Sequence, residues 1–440
     1  MFLSLASKVR FAVVLLLLIC VAGAHGVVRK KRVVHHPKHR RHVMHNGNAV
    51  ERRSNGRISD VHHEGRHMDI HHGLNGERRV SVERADHSRV VAERGRGGYV
   101  ERRYSYREHE FYRRTYYYHG RAYDHFYRGF YFHGVGLHVY APARFYPVGF
   151  YGWAYHPWRT RVVYGWGWGG APWYGHYGFY FRPYASYPSA SYWITDRMMA
   201  AQLNAAYEAG REDGAGGAAG PVANAGAGPA NGPADGPMLS DQVKDLIANE
   251  VQNEINLENA EADLIAQGKE PDPASSGIAR LLGDGQPHVF VVGAPLEVVN
   301  EANDEDCSLS EGDVLQLNEA PPADEKAAAL TVLASKGGAE CGKSAEVTVA
   351  LDDLQEMQNA MRVEIDNGLD ELQQKQGTAG LPALPKTAVG EATVPAFAPI
   401  APPPDPNGAE EVDQALKDGD AAEHEVTTQE KQEEAKPGPK

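Results

Sequence analysis

The sequence predicts a mixed fold class: a largely disordered chain holding one small five-stranded β-barrel module flanked by two amphipathic helices, plus an aromatic, glycine-rich irregular β segment. Three observations carry this prediction. All 22 tyrosines and all 6 tryptophans of the 440 residues fall between Tyr99 and Tyr207. From His25 to Arg182, Lys and Arg outnumber Asp and Glu by 28 to 12, whereas from Gly214 to Lys440 the count is 13 against 42. Gly (47) and Pro (27) concentrate in stretches too poor in apolar side chains to build a core.

The start, MFLSLASKVR followed by FAVVLLLLICVAGA, has the basic region, apolar run and Ala22-Gly23-Ala24 cleavage pattern of a signal peptide over residues 1–24. The chain is therefore expected to be exported, to the periplasm, cell envelope or extracellular space. Arg29, Lys30, Lys31 and Arg32 follow at once and oppose translocation, so the alternative is a membrane anchor through residues 11–28. Cleavage removes Cys20 and leaves Cys307 and Cys341, which an exported chain pairs as a disulfide. Closing that loop would stabilise its module by roughly 3 to 4 kcal/mol. Two buried free thiols are the alternative.

Residues 25–98 are rich in Arg and His, contain no aromatic residue other than histidine, and predict a basic disordered arm. Within HHEGRHMDIHH, His63, His67 and His71 stand at i, i+4 and i+8, one face of a helix if a helix forms. Imidazoles at this spacing can share a nickel, zinc or copper ion. Gly65 and Gly73 oppose the helix and no cysteine completes a closed site, so solvated histidines are the simpler account.

The segment 99–193 holds 21 Tyr, 6 Trp and 8 Phe among glycines and arginines. Val135, Leu137 and Val139 alternate as in a strand, while Pro147, Pro157, Pro172, Pro183 and Pro188 interrupt any longer one. Arginine interleaved with tyrosine, as in YVERRYSYREHEFYRRTYYYHG, permits guanidinium stacking on rings and suggests a cohesive or adhesive segment, with a carbohydrate face as a further possibility. A compact aromatic core is the bland alternative. Single-stranded nucleic acid would also suit stacked rings beside a basic track, but export discounts it.

Thr195 caps a short helix over 194–212 with Met199, Leu203 and Ala206 on one stripe, and the Ala/Gly/Pro run over 213–238 is a flexible linker. Ser240 opens an amphipathic helix over 239–268 whose stripe contains Val243, Leu246, Ile247, Val251, Ile255 and Ala262. A β module with a C-terminal helix follows over 277–377. Its five strands are HVFVV at 288, LEVV at 296, DVLQL at 313, LTVLA at 330 and EVTVAL at 346; its helix carries Leu354, Met357, Met361, Ile365 and Leu372, capped by Asp352 or Asp353. Residues 378–440 are acidic, rich in Ala and Pro, and predict a disordered tail.

The EGDVLQL and VTVALDDL stretches resemble the corresponding pieces of bacterial SH3-like modules over roughly 70 residues. That resemblance implies a small barrel but no polyproline groove, because Phe290 is the module's one aromatic ring. The whole layout is similar to secreted bacterial proteins with a Tyr/Trp/Gly-rich segment and a C-terminal SH3-like module, which implies no particular activity.

GxSxG, HExxH and GxxxxGK[ST] are absent, so no catalytic residue or cofactor is assigned. The expected function is a non-catalytic exported structural or interaction protein. Its cationic arm would engage anionic surface polymers or carbohydrate, its aromatic segment would cohere, and its oppositely charged ends would favour self-association. The alternative is a His-rich transition-metal binding or buffering protein.

Overall fold

The computed structural model describes residues 39–212, 239–337 and 340–435. The expected leader and its cleavage point, the start of the basic arm and the 213–238 linker lie outside the described residues. Among those described, the chain is ordered, and the expectation of a largely disordered protein is corrected.

The first correction is the basic arm. Residues 40–141 form ten consecutive antiparallel strands, paired in chain order. They are β1 (Arg40–Val43), β2 (Ala49–Arg52), β3 (Ile58–His63), β4 (Met68–His72), β5 (Arg78–Glu83), β6 (Arg89–Glu93), β7 (Gly97–Tyr106), β8 (His109–Tyr118), β9 (Arg121–Phe132) and β10 (Val135–Ala141). Turn chemistry builds this meander. In six successive turns the N–H of residue i+3 donates to the carbonyl of residue i, with i being Met44, Arg53, Glu64, Gly73, Arg84 and Glu93. Met44, Glu64 and Arg84 are 20 residues apart, as are Arg53, Gly73 and Glu93, so the arm is a repeat and not a low-complexity tract. Gly47, Gly56 and Gly76 occupy left-handed backbone at φ 90°, 83° and 95°, where a side chain would be strained. The preceding Asn46 and Asn55 accept the N–H two residues on, which pre-forms the turn.

Each short strand turns one or two aliphatic side chains to the same face. Val50, Val61, Ile70, Val80 and Ala92 sit opposite one another across β2 to β6 and are buried. That face repays its folding entropy through residues more than 300 positions away. Val412, Ala415, Ala422 and Val426 of a helix over Gly408–Glu434 cover it. Burial of such aliphatic side chains is worth roughly 1.5 to 3 kcal/mol each. The acidic tail therefore carries a docked 27-residue helix, which corrects the second disordered assignment. Gly419 lets this helix approach, since a Cβ there would lie 2.8 Å from Val80.

The aromatic segment divides in two. Residues 99–141 lie in the long strands β7 to β10. Beyond them the chain forms α1 (Val148–Tyr155), α2 (Pro172–Tyr177) and α3 (Ala190–Glu212) and wraps a core of Tyr151, Tyr180, Phe181, Tyr187 and Trp193. These rings cohere with one another inside the molecule. α3 starts five residues before Thr195, whose hydroxyl donates to the Ser191 carbonyl within the helix (2.8 Å) instead of capping it.

α4 (Asp241–Ala266) is capped by Ser240, and its apolar stripe packs into the same core, although Leu246 points outward. The short helices α5 (Pro273–Ser276) and α6 (Ile278–Gly283) lead to a second sheet. It has six strands: β11 (His288–Val291), β12 (Leu296–Asn300), β13 (Glu305–Leu309), β14 (Val314–Leu317), β15 (Ala327–Ala334) and β16 (Glu346–Ala350). The order β11-β14-β15-β16-β12-β13 leaves β11 and β13 at opposite edges, so this is an open sheet, not the expected five-stranded SH3-like barrel. β13, reading EDCSL, escapes a hydrophobic pattern because its first half is acidic. It carries Cys307, bonded to Cys341 as a disulfide. α7 (Leu351–Lys375) follows β16 without a loop, with Asp352 and Asp353 inside its first turn and not at its cap. The tail helix over Gly408–Glu434 is α8.

Candidate functional site

A strand's side chains alternate, so the register that points Val50, Val61, Ile70 and Val80 toward α8 sends their neighbours to the opposite face. There, Arg41, Glu51, Asp60, His71, Arg79 and Glu93 stand directly opposite one another across six strands, forming one charged row. The second sheet lies against this row. Arg53 makes a two-pronged pair with Glu297 of β12 (3.2 and 2.5 Å), Asn75 donates to Ser308 of β13 (2.9 Å), and Arg96 donates to Glu311 (2.7 Å). A cleft at this junction is lined by His71, Arg79, Glu93, Leu296 and Glu297.

At one end of the row, His39 bridges the two sheets. Its Nε2 lies 2.8 Å from Asp306 Oδ2 of β13 and its Nδ1 lies 3.1 Å from Glu51 Oε1. Asp60, beside Glu51, takes a hydrogen bond from His71 Nδ1 at 2.8 Å. Burial works against the charged form of both partners, but the pair outweighs it: His71 is raised above the usual imidazole range and Asp60 lowered below the usual carboxylate range. His39, Glu51 and Asp60 each present one ligand atom, and these atoms lie within 4.8 Å of one another.

The histidines singled out by helical spacing are not brought together. His63 ends β3 on the α8 face, with Nε2 3.3 Å from Glu425. His67 occupies left-handed backbone in the turn (φ 47°). His71 lies on β4, on the opposite face to His63. The helix that would align them is replaced by a hairpin whose register sets His63 opposite Met68, so His71, an odd number of residues beyond Met68, faces the other side of the sheet.

Two other polar clusters join the elements. The Arg114 guanidinium donates to Glu101 (2.7 Å) and, with two nitrogens, to Glu356 of α7 (both 2.9 Å), and lies over the Tyr127 ring at 4.3 Å. Burial would raise Glu101, but Arg114 and His138 hold it far below the usual carboxylate range. On α4, Glu250, Glu254, Glu258 and Glu261 are all buried along one side. Glu258 and Asp366 of α7 are both raised, by burial first and in Glu258 by the facing Asp366 carboxylate as well. Tyr151 donates to Glu258 (2.8 Å) and Tyr140 to Asp366 (2.6 Å), so each acid keeps a donor.

The charge opposition between the halves of the sequence is spent within the chain. Arg52 pairs with Glu430, Arg66 with Glu425, His72 with Glu423, and Arg78 with Asp420 and Glu423, all on α8. Arg84 and Arg102 meet Asp405 just before it. Arg40 and Arg41 differ: exposed on the edge strand β1, they make no ion pair among the described residues. No helix among the described residues is long and apolar enough to cross a membrane. No protein-family model, curated protein or solved structure matches the chain.

Proposed function

We propose that this chain is a non-catalytic exported structural or interaction protein that engages an anionic surface polymer through the cationic edge of its ten-stranded sheet. The observation that carries the reading is the sorting of cations. Arg52, Arg66, Arg78, Arg84 and Arg102 are each paired with an acid on or just before α8, whereas Arg40 and Arg41 stand exposed on an edge strand with no ion pair among the described residues, next in sequence to the cationic stretch that precedes them. Two exposed arginines without an ion pair on an edge strand suit a polyanion and also discourage edge-to-edge pairing of two sheets. Export rests on the leader's sequence alone.

The test is salt elution of the full chain from an immobilised phosphorylated polymer. Arg40→Glu with Arg41→Glu should elute at clearly lower salt than wild type. Arg159→Glu with Arg161→Glu, the same charge change at exposed positions elsewhere, should elute near wild type. Equal shifts for the two double variants would reduce the interaction to net charge and defeat the reading.

A further inference from the structure

The geometry points to a divalent metal site formed by His39 Nδ1, just before β1, with Glu51 of β2 and Asp60 of β3, and with Asp306 of the second sheet orienting the imidazole. This inference is independent of the cationic-edge reading.

Glu51 and Asp60 are cross-strand partners, so the register forces two carboxylates side by side. Like charges directly opposite are unfavourable unless something positive lies between them. His71 engages Oδ1 of Asp60, and the Ser59 side chain also hydrogen-bonds this carboxylate. His39 Nε2 is 2.8 Å from Asp306 Oδ2, a contact that places the N–H on Nε2 and leaves the Nδ1 lone pair aimed at Glu51 Oε1, 3.1 Å away. Lone pair facing carboxylate is repulsive, and a cation held between Nδ1, Glu51 and Asp60 would relieve it; the Ser59 hydroxyl, 3.5 Å from Nδ1, is the other neighbour. A carboxylate behind one ring nitrogen of a ligating histidine is the usual outer-shell arrangement of metal sites, because it fixes tautomer and ring orientation.

The donor set decides the class of ion. One imidazole and two carboxylate oxygens suit borderline first-row divalent ions such as Zn²⁺ or Mn²⁺. With three protein ligands, water completes the coordination. His39 is 11% exposed at its side chain, while Glu51 and Asp60 are 29% and 47% exposed, so an ion can enter from the Asp60 side without unfolding. Bound there, it would tie β1 to β3 to one another and, through His39 and Asp306, to β13, which the Cys307–Cys341 disulfide already restrains.

Equilibrium dialysis of the full chain against Zn²⁺ at neutral pH should find one ion per chain held much more tightly than the rest. Glu51→Gln with Asp60→Asn, which keeps all histidines, should weaken that ion at least ten-fold. Asp306→Asn should weaken it by about ten-fold. His42→Ala with His45→Ala should leave it unchanged. Tight binding that survives in the Glu51/Asp60 variant would mean that scattered histidines hold the metal, and would overturn the site, as would a wild-type chain that binds neither Zn²⁺ nor Mn²⁺. Co²⁺ bound to wild type supplies a second readout that needs no variant to fold. One set of paramagnetically shifted imidazole protons is expected; none, or several sets, refutes the assignment.

Discussion

Asn359 of α7 pairs with the backbone at Tyr140 as a further strand would. Tyr140 N–H donates to Asn359 Oδ1 (2.9 Å), and Asn359 Nδ2 donates to the His138 carbonyl (2.7 Å). β10 is the last strand of the sheet, and an unpaired edge is both a desolvation problem and a template for aggregation. One side-chain amide presents the donor and acceptor that an eleventh strand would, and Arg362 adds a longer bond to the Tyr140 carbonyl (3.4 Å).

Asn359→Ala should therefore cost about 2 to 3 kcal/mol, more than an average hydrogen bond, because it leaves a buried donor and acceptor unmatched. Urea unfolding of wild type and variant measures this. A midpoint unchanged by the substitution would mean that water replaces the amide without loss.

Removal of α8 should uncover the sheet. The helix shields Val50, Val61, Ile70 and Val80 and neutralises Arg78, whose side chain is only 4% exposed between Asp420 and Glu423. A chain ending at Pro404 is expected to bind a hydrophobic dye and to aggregate at concentrations where the full chain is monodisperse. Glu423→Gln, which leaves the apolar face covered, should instead show only a loss of about 1 to 3 kcal/mol. A monodisperse truncated chain that does not bind the dye would show that the sheet is stable without the helix.

Long periodic helices were legible in the sequence, and the sheet was not, for a physical reason. The stripes of α4 and α7 are concentrated within one element, so Val243 to Ala262 and Leu354 to Leu372 stand out. A strand such as AVER or MDIHH turns only one or two apolar residues inward, and the remainder are charged because they face the second sheet or solvent. Averaged over residues 25–98, that composition resembles disorder. The readable signal was the turns: Asn46-Gly47, Asn55-Gly56 and Asn75-Gly76, flanked by Val50, Ile70 and Val80, are hairpin punctuation. The partner that makes the sheet affordable, α8, hid behind an acidic composition more than 300 residues away. The His39, Glu51 and Asp60 cluster could not be read from spacing, because cross-strand register alone brings these positions together.

Lys336 and Asp313 form the most enclosed ion pair of the second sheet. Asp313 is fully buried and accepts from Lys336 Nζ at 2.6 Å and from the Ser310 N–H at 2.9 Å. Burial pushes the Asp313 carboxyl up to about 6 even with Lys336 opposing it. Lys336→Met leaves that charge stranded and should cost about 3 to 5 kcal/mol at pH 8. The cost should be smaller at pH 5, where Asp313 can take up a proton within the fold. Equal losses at both values of pH would place the damage in packing and not in the charge.

His288 gives the clearest dependence of stability on pH. Its side chain is 4% exposed, with Nδ1 3.1 Å from Glu250 Oε2 and Nε2 3.0 Å from Asp284 Oδ2, so both nitrogens face carboxylates. Burial disfavours the imidazolium, but the hydrogen bonds and charges of the two acids outweigh it and raise the group above the usual imidazole range. A group raised in the folded state adds stability in full below its unfolded pKa, about 6.5, and loses it as pH rises through the higher folded value. The stability difference between wild type and His288→Gln should therefore be largest near pH 6 and shrink toward pH 9. Because the other histidines titrate alike in both proteins, their contributions cancel in the difference. Urea unfolding of the two proteins across this range provides the measurement, and a difference that is flat with pH would mean that His288 is neutral in the fold.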